Sequence, residues 1–535
     1  MLPVTATRPL RAPAQDGAFV VEPPLARVEQ IVRDNYQRLT RPGVFLLGKS
    51  LSELRTQARA QLLASSRAYM SERGEPLPES GGGPLFMAGH QPELFHPGVW
   101  VKNYALSELA CRYQGVAVNL IVDNDTAKSK SLRVPAPPSA AYRWPHLQTI
   151  PFDHWVAEKP FEELAVADEG LFASFPERVG SVLRGWDYQP ILPDFWDEVL
   201  NHARSTPLLG ERFTAARRSL ERRWGCHNLE IPVSRVCQMP SFAWFICHLL
   251  ANLERFHALY NESVHAYRRD HRLRSRNHPV PDLALEGAWR EVPLWAWRTG
   301  QSRRGRLMAQ VIGDQVHIRV GDQEWPTLPL AAEPNPERTI AAWQQLEIHG
   351  FKIRSRALTN TLFARLFLCD LFVHGIGGGK YDELTDQLLN RFYGLEPPGF
   401  MVLSGTLLLP LPAYPVTKAT VQHLRRQWRD LHYNPQRHLS TELAAGDGVA
   451  DLAAQKEKCI IQSPATPTER RNRFEHIRTL NRLLRSPLHE QEQAIRAALD
   501  LAREELQGNT VLQRRDFAFC LYPEEKLRRF CTQFL

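Results

Sequence analysis

The sequence predicts an α/β protein whose parallel sheet is split by an inserted connecting domain and followed by a helical C-terminal region. Two segments, one near residues 85–122 and one near residues 358–409, alternate between short apolar runs and helical periodicity in the manner of βαβ units. The chain has 535 residues, of which 43% are hydrophobic and 23% charged, and this composition is ordinary for a large globular protein. We therefore expect both units to join one sheet across the residues between them.

The first unit follows a glycine-rich hinge at residues 81–83. An apolar run at Leu85–Ala88 predicts a strand, residues 99–113 carry apolar side chains at helical spacing, and Val116–Val122 predicts a second strand. The second unit is predicted to contain a helix, a strand, a loop, a second helix and a further strand, in that order, at residues 358–370, 371–373, 374–381, 382–393 and 400–409.

The remaining elements complete a five-part organisation. The insertion is predicted to be helical up to about residue 276 and strand-rich over residues 291–320, with a hairpin at Gly313–Asp314. Helical spacing beyond Pro415 predicts either a helical hairpin packed on the body or a coiled-coil dimer interface. The predicted domains are an N-terminal helical and extended segment, the first half of the core, the inserted helical and β-rich domain, the second half of the core and the C-terminal helical domain, at residues 1–80, 81–193, 194–340, 341–415 and 416–535.

Charge and hydropathy exclude several classes of protein. The 66 Lys+Arg and 58 Asp+Glu residues give a formal net charge of +8, a mild bias that suits small anionic ligands and does not indicate a dedicated nucleic-acid binder. No run approaches the roughly 18 apolar residues that predict a membrane span, and the N-terminus has no stretch typical of a secretory signal. We therefore expect a cytoplasmic protein without membrane contact, and we expect its eight cysteines, which form no CxxC pair, to be reduced.

Three polar segments follow predicted strands, where the loops of a parallel sheet gather ligand-binding groups. The first contains Gly89, His90 and Gln91, with His96 and Lys102 following at the predicted helix. A glycine permits a sharp turn, free amides at a helix start favour anions, and histidines can donate to phosphate or transfer a proton. We assign His90 a catalytic role and the other four a role in substrate or anion binding. The alternative is that the histidines only cap the loop or lie on the surface.

The second polar segment is Asp123–Thr126, directly after the second predicted strand. Carboxylates at the end of a buried strand can orient hydroxyls or an amine, bind a cation or act as a general base. Asp123 and Asp125 are therefore predicted catalytic residues, and Asn124 and Thr126 are predicted substrate contacts. The same four residues are also good turn and helix-capping residues, so a purely structural role is the alternative.

The third polar segment is the most distinctive, because four glycines precede a lysine between His374 and Glu383. Successive amides in such a run can form an anion-binding nest while the lysine neutralises charge. It is not a Walker loop, since that spacing and the Ser or Thr after the lysine are absent. A merely tight turn is the alternative. The predicted substrate or anion contacts are His374, Gly377, Gly378, Gly379, Lys380, Tyr381, Asp382 and Glu383.

Together these segments resemble the bacillithiol-biosynthesis cysteine-adding enzymes, the BshC family. The three polar segments are similar to the family's glycine–glutamine–glutamine loop, its acidic strand end and its glycine-rich loop. Residues 260–281 are similar to a segment of its insertion domain. The resemblance implies a Rossmann-like parallel sheet split by an inserted connecting domain, a C-terminal α-helical hairpin or coiled-coil element that forms a homodimer, and a substrate contact at Arg356. It rests on four stretches in the expected order and a weaker fifth, at residues 87–102, 120–125, 260–281, 356–383 and 516–527.

The resemblance also implies amide formation between an amino-sugar conjugate and an amino acid, as in thiol biosynthesis. This chain departs from the family inside the predicted pocket: His90 replaces a glutamine, Thr126 ends an acidic quartet that lacks its histidine, and Gly379–Lys380 replaces proline–glycine. These departures predict a different substrate. Our leading hypothesis is therefore a ligase-like or transferase enzyme that joins or modifies a small amine or amino-sugar-type metabolite. A nucleotide is a candidate cofactor, and no metal is required.

Two other functions are consistent with the sequence. A non-catalytic scaffold could bind a partner or nucleic acid through its helical C-terminus and the arginine-rich segment 268–276, which has arginines at positions 268, 269, 272, 274 and 276. A solvated helix end is the commoner explanation of such a segment. A metal-dependent hydrolase of small molecules could bind Zn, Mn or Mg with an oxygen- and nitrogen-rich set. That set would comprise His90, His96, Asp123, Asp125 and His374.

Overall fold

A six-stranded sheet forms the centre of the protein in a computed structural model that describes residues 10–79, 81–275, 277–301, 303–331, 336–444, 446 and 448–534. Five of its strands are parallel, and the sixth, at one edge, is antiparallel to its neighbour. Numbered along the chain, the five parallel strands lie across the sheet in the order 3-2-1-4-5. From the antiparallel edge, the strands are Phe19–Glu22, Met401–Gly405, Leu371–His374, Leu85–His90, Val116–Ile121 and Leu229–Pro232.

The prediction of an α/β protein with a mostly parallel sheet is confirmed. The two predicted units meet at the centre of the sheet, where Leu371 pairs with Phe86 in parallel register. Both outermost strands come from segments assigned elsewhere on sequence, Phe19–Glu22 from the N-terminal segment and Leu229–Pro232 from the insertion. Four residues carry too little periodicity to predict such strands, and only their pairing with a neighbour defines them.

Alternate side chains of the central strands enter two hydrophobic cores, one on each face of the sheet. Met87 belongs to the core that contains helix Leu51–Glu72, and Phe86 belongs to the core that contains helix Pro97–Arg112. Successive residues of a strand point to opposite faces, so both faces of these strands are buried. This double coverage explains why the strands read as continuous apolar runs in the sequence.

A second, antiparallel sheet of seven strands lies mostly in the insertion, and its strand Phe351–Ser355 comes from the segment assigned to the second half of the core. The hairpin predicted at Gly313–Asp314 is confirmed, because Ile312 pairs with Gln315 across it. The strands of this sheet are Leu285–Glu286, Trp289–Arg298, Gly305–Ile312, Gln315–Val320, Gln323–Glu324, Leu328–Pro329 and Phe351–Ser355. Two small ribbons are formed by the strands Phe45–Leu46, Lys49–Ser50, Ser131–Ala136 and His146–Pro151.

Helices cover the sheets and make up the C-terminal region. They lie at Val28–Leu39, Leu51–Glu72, Pro97–Arg112, Glu169–Ala173, Phe175–Leu183, Leu192–Asn201, Leu209–Arg223, Val233–Val236, Pro240–Ala251, Leu253–Asp270, Glu337–Ile348, Ala357–Phe363 with a π-helical continuation at Ala364–Leu368, Ile376–Tyr393, Lys418–Tyr433, Thr441–Ala444, Val449–Ile461, Pro467–Arg485, His489–Leu512 and Glu524–Cys531. Across the described ranges, none of these helices has the length and apolar character required to traverse a bilayer.

The glycine-rich segment is the start of a helix, so the prediction of a loop over residues 374–381 is wrong. The helix begins at Ile376 and not at Asp382, and it ends at Gly394, which adopts a left-handed conformation. One of these glycines, Gly379, serves close packing. A Cβ atom on Gly379 would lie 2.5 Å from Cγ2 of Val402, so only a residue without a side chain lets the first turn approach the neighbouring strand.

The C-terminal helices pack in two pairs before the chain returns to the core. Helix Lys418–Tyr433 packs against His489–Leu512, and Val449–Ile461 packs against Pro467–Arg485. The last residues then dock beside the central sheet, where the backbone amide of Phe519 donates to the carbonyl of Phe95 at 2.8 Å. The homodimer through these helices stays a prediction.

Candidate functional site

A cavity of about 910 Å³ opens at the carboxyl ends of the parallel strands. It lies against the ends of Leu85–His90 and Leu371–His374, the first and fourth parallel strands, which are neighbours in the sheet. Crossovers run in opposite directions from this pair, and such reversal points are where open parallel sheets bind ligands. The starts of helices Pro97–Arg112 and Ile376–Tyr393 contribute to the same wall, so the positive ends of two helix dipoles face the cavity.

The structure brings most of the predicted site residues to this one cavity. The predicted residues that line it are Gly89, His90, Gln91, His96, Lys102, Asn124, Asp125, Arg356, His374, Gly377, Gly378, Lys380 and Tyr381. The histidine–glutamine turn and the glycine-rich segment, far apart in the chain, thus share a wall. The predicted residues outside the lining are Asp123, Thr126, Gly379, Asp382 and Glu383.

Lys102 is a buried cation on the cavity wall. Lys102 is only 4% exposed, and its ammonium donates to the carbonyl of Gly89 at 3.3 Å. Within the described ranges no carboxylate lies at ion-pair distance from it. Burial lowers the pKa of Lys102 to about 8, so the side chain is charged at neutral pH without a counter-ion.

His90 lies next to this lysine and is neutral. Its Nδ1 atom is 3.2 Å from the carbonyl oxygen of Gln91, and burial together with the charge of Lys102 lowers its pKa to about 3. Such an imidazole can donate or accept a hydrogen bond, but it supplies no positive charge at neutral pH. His90 can therefore make a neutral polar contact in the cavity but does not neutralise an anion, and the catalytic role assigned to it stays a prediction.

Asp125 connects the predicted turn to the inserted sheet. Its carboxylate accepts from Nε2 of Gln91 at 2.9 Å and from Nη2 of Arg304 at 3.0 Å. Burial would raise the pKa of Asp125, but these donors outweigh it and hold the pKa below its usual value. Asp125 is therefore an ionised acceptor, suited to holding an amine or hydroxyls and not to storing a proton.

Asp123 faces away from the main cavity, although it precedes Asp125 by only two residues. It lines a separate cavity of about 160 Å³ and accepts from the backbone amide of Ser234 at 2.9 Å and from the hydroxyl of the same residue. Burial and the nearby Glu162 raise the pKa of Asp123 to about 7. The structure therefore separates the two aspartates that the sequence grouped as catalytic, since a turn sends adjacent side chains to different sides.

His374 and Asp382 form a buried hydrogen-bonded pair at the end of the fourth strand. Nε2 of His374 lies 2.8 Å from Oδ2 of Asp382, and the same oxygen accepts from Nη1 of Arg365 at 2.7 Å. Burial alone would raise the pKa of Asp382, but Arg365 and His374 hold it well below the usual range. The permanent carboxylate fixes the ring of His374, which lines the cavity. Asp382 therefore orients His374 and, since it does not line the cavity, does not contact a substrate directly.

Sequence reasoning missed several residues of the wall. Trp295 and Arg304 come from the inserted sheet, and their guanidinium-to-ring distance is 4.6 Å; Arg356 lies 4.2 Å from the same ring. Arg515 comes from the segment after the last long helix. Nothing local in the sequence marks these residues, because arginines in loops and tryptophans in strands are common and only the fold brings them to the cavity.

Two observations concern the alternative functions, the metal-dependent hydrolase and the non-catalytic scaffold. In the part of the chain that the structure describes, no group of three or more His, Cys, Asp and Glu side chains is arranged to hold a metal ion. In the arginine-rich segment, Arg268 binds the carboxylate of Asp282 at 2.9 Å and the carbonyl of Val280 at 2.7 Å. Arg268 therefore has a structural contact. Arg276 lies outside the described residues.

No protein-family model matches the chain, and no curated protein matches it. The resemblance to the BshC family accordingly rests on the quoted stretches and stays a prediction. Each of the four main stretches contributes to the cavity wall, through Gly89, Asp125, Tyr260 and Arg356 among others.

Proposed function

We propose that the protein is a ligase-like or transferase enzyme that joins or modifies a small amine or amino-sugar-type metabolite, using a co-substrate with a phosphate or other anionic leaving group. The proposal places the reaction in the cavity at the carboxyl ends of the strands. It agrees with the resemblance to the BshC family in reaction class and differs in substrate, because His90, Thr126 and Gly379–Lys380 depart from the family.

The observation that carries the proposal is the ammonium of Lys102 in the wall of a 910 Å³ cavity, which forms no ion pair with any residue that the structure describes. A buried charge without a partner is unfavourable, and an anionic ligand would supply the missing counter-charge. Arg356, Arg515 and Lys380 add positive charge around it. A cavity of this charge and size suits a phosphate- or carboxylate-bearing metabolite.

The order of the parallel strands supports a nucleotide as that co-substrate. An order of 3-2-1-4-5 is the order of the first five strands of Rossmann-like sheets, and such sheets bind nucleotides at the reversal point. We propose that the central sheet is a Rossmann-like core split by the insertion. Gly377 and Gly378 lie in the first turn of a helix, where backbone amides have no intrahelical acceptor and can donate to phosphate oxygens.

The pair of His374 and Asp382 supports proton transfer in the same cavity. Because Asp382 accepts from Nε2, an imidazole that carries one proton has its lone pair on Nδ1, the form required of a general base. When the amine nitrogen bonds to the activated carbon, the anionic group leaves with the bonding electrons and His374 accepts the proton. Asp125 is the acceptor that would orient the amine.

Binding and product analysis together test this function. We expect a nucleoside triphosphate or another phosphorylated compound to raise the melting temperature, because ligands that bind only the native state stabilise it. Incubation with mixtures of amines, amino sugars and amino acids should then give a condensed product in the mass spectrum. His374→Gln should abolish the product, and His271→Gln, a half-exposed histidine that pairs with Glu383, should retain it. Product formation at an equal rate in both variants would reject the assigned base, and the absence of any product would reject the reaction class.

A further inference from the structure

We propose that Arg515, from the segment after the C-terminal helices, completes a phosphate-binding subsite with Lys102 beside the start of helix Pro97–Arg112. The inference rests on the proposed function in one respect, namely that the cavity accepts an anionic substrate. It further specifies the position of the phosphate within the cavity and the distant segment that binds it. The 516–527 stretch, noted in the sequence only as a weak similarity, thereby gains a role in positioning.

The segment that carries Arg515 is firmly docked on the core. Phe519 donates its backbone amide to Phe95 at 2.8 Å, and its ring centroid lies 4.5 Å from that of Trp100, in the helix that begins beside the cavity. The hydroxyl of Tyr522, a fully buried residue, donates to the carbonyl of Leu407 at 2.8 Å. These contacts fix the backbone on the C-terminal side of Arg515, so its guanidinium is a built part of the cavity wall.

The guanidinium of Arg515 is oriented by neutral acceptors. Its Nη2 atom donates to the hydroxyl of Ser404 at 3.2 Å and to the carbonyl of Gly405 at 3.1 Å. In the described ranges no carboxylate forms an ion pair with it, and the adjacent Asp516 binds Arg514 at 2.6 Å. Arg304 and Arg356, by comparison, are each engaged by a carboxylate of the protein. No carboxylate among the described residues therefore neutralises the charge of Arg515 through an ion pair, and its remaining N–H groups can donate to a ligand.

The absence of a side chain at Gly98 brings the cation against the helix. A Cβ atom on Gly98 would lie 3.1 Å from Nη2 of Arg515 and 2.1 Å from the carbonyl oxygen of Gly405. The guanidinium thus sits at the positive end of a 16-residue helix. His96, the residue before this helix, has its pKa lowered to about 4 by burial and by Arg515, so it is a neutral neighbour.

Lys102 is the second, independent feature that points to a ligand here. It lies on the same helix, is buried, lines the same cavity and lacks a carboxylate partner among the described residues. Two cations that form no ion pair within the described ranges lie on one wall with a helix N-terminus, and together they favour an anion with several oxygens. A phosphate group fits this set, because a guanidinium fork, an ammonium and a helix dipole all favour its charge.

Titration of the full-length protein with inorganic pyrophosphate in a calorimeter tests the subsite. Arg515→Gln keeps an amide donor near Ser404 but removes the charge, so we expect the affinity to fall roughly ten- to hundredfold, the usual effect of losing a hydrogen bond to a charged group. Arg514→Gln is the matched control, since Arg514 binds Asp516 and does not line the cavity. Its affinity should stay within about twofold of wild type. Equal losses in both variants, or no pyrophosphate binding by the wild type, would overturn the proposal.

Two further variants distinguish a loss of binding from a folding defect. Arg515→Lys keeps the charge and should bind pyrophosphate better than Arg515→Gln at an equal melting temperature. Lys102→Met should weaken binding to a similar degree as Arg515→Gln, and full affinity in that variant would also overturn the subsite. Repeating the titration with ADP and with glucosamine 6-phosphate shows whether the phosphate belongs to a nucleotide or a sugar. Failure of the proposed function would look different, because pyrophosphate would still bind through Arg515 while no condensed product formed.

Discussion

Nε2 of His374 lies 2.8 Å from Oδ2 of Asp382, although one residue ends a strand and the other lies in the following helix. The contact forms because the helix starts immediately after the strand and folds back over its end. Both residues are buried, at 4% and 0% exposure, and Arg365 holds the carboxylate from the other side. The pair therefore belongs to the core and to the cavity wall together.

Replacing Asp382 should change both stability and the histidine tautomer. Asp382→Asn removes one anionic partner of the buried Arg365, so we expect the free energy of unfolding to fall by about 3 kcal/mol. This value is near the lower end of the losses caused by breaking a buried ion pair, because Asp386 still binds Arg365. Denaturant titration measures it. ¹⁵N NMR of the imidazole should show loss of the Nε2–H form. Glu383→Gln, one residue further along, should alter the free energy by less than about 1 kcal/mol, and a similar loss there would contradict the explanation.

The glycine-rich helix start allows a sharp test with neighbouring positions. Gly379→Ala places a Cβ atom 2.5 Å from Val402, so we expect about 1–3 kcal/mol of destabilisation from overpacking. Gly377→Ala meets no atom within 4 Å and should be neutral or stabilising by up to about 1 kcal/mol, because alanine favours a helix more than glycine does. Thermal unfolding of both variants checks the order. Equal effects would show that packing against the strand is not the reason for the glycine.

Anion affinity should fall as the pH rises through about 8. The pKa of Lys102 is lowered from 10.5 to about 8 by burial, so the ammonium that attracts the anion loses its proton near that pH. Sulfate is a suitable probe, since its own charge is constant across this range. We expect its dissociation constant to rise between about pH 7 and pH 9 in the wild type. Lys102→Met should bind weakly at both values, and a wild-type affinity independent of pH would rule out Lys102 as the anion contact.

The two aspartates of the second polar segment should show opposite pH dependences. The folded-state pKa of Asp123 is raised from 3.8 to about 7, so the unfolded state releases a proton that the native state keeps, and this group reduces stability as the pH rises through that window. Asp123→Asn should therefore gain stability relative to wild type between about pH 4 and pH 7. Asp125 has a lowered pKa, and its contribution is present above its unfolded value and lost in acid. Asp125→Asn should be less stable than wild type at neutral pH, and the difference should shrink as the pH falls.

The predicted homodimer can be tested on exposed apolar side chains of the C-terminal helices. Ile461 and Phe474 are 75% and 64% exposed on two helices that pack together. We expect sedimentation velocity to show a dimer for the wild type and a monomer for the double variant Ile461→Lys with Phe474→Lys. Ile348→Lys replaces an equally exposed isoleucine, 72% exposed, on a different helix and should remain dimeric. A monomeric wild type would reject the prediction.

Much of the core could be predicted because its strands are buried on both faces. The continuous apolar run at Val116–Ile121 and the abrupt change to polar residues after it mark both the strand and the edge where ligands bind. The same reasoning failed at the glycine-rich segment, since glycine disfavours helices locally and the packing against Val402 that requires it is tertiary. The strands Phe19–Glu22 and Leu229–Pro232 were beyond prediction because each depends on its partner.

By itself, the sequence determined that this is an α/β protein and that polar residues end its central strands. Hydrophobic periodicity is a local property, and local chain geometry suffices to interpret it. Only the tertiary structure decided that Asp123 and Asp125 separate, that Asp382 stands behind His374, and that Arg304 and Arg515 face the cavity. These relationships depend on strand order and on contacts between segments hundreds of residues apart. A local sequence pattern does not specify which distant segments will be in contact.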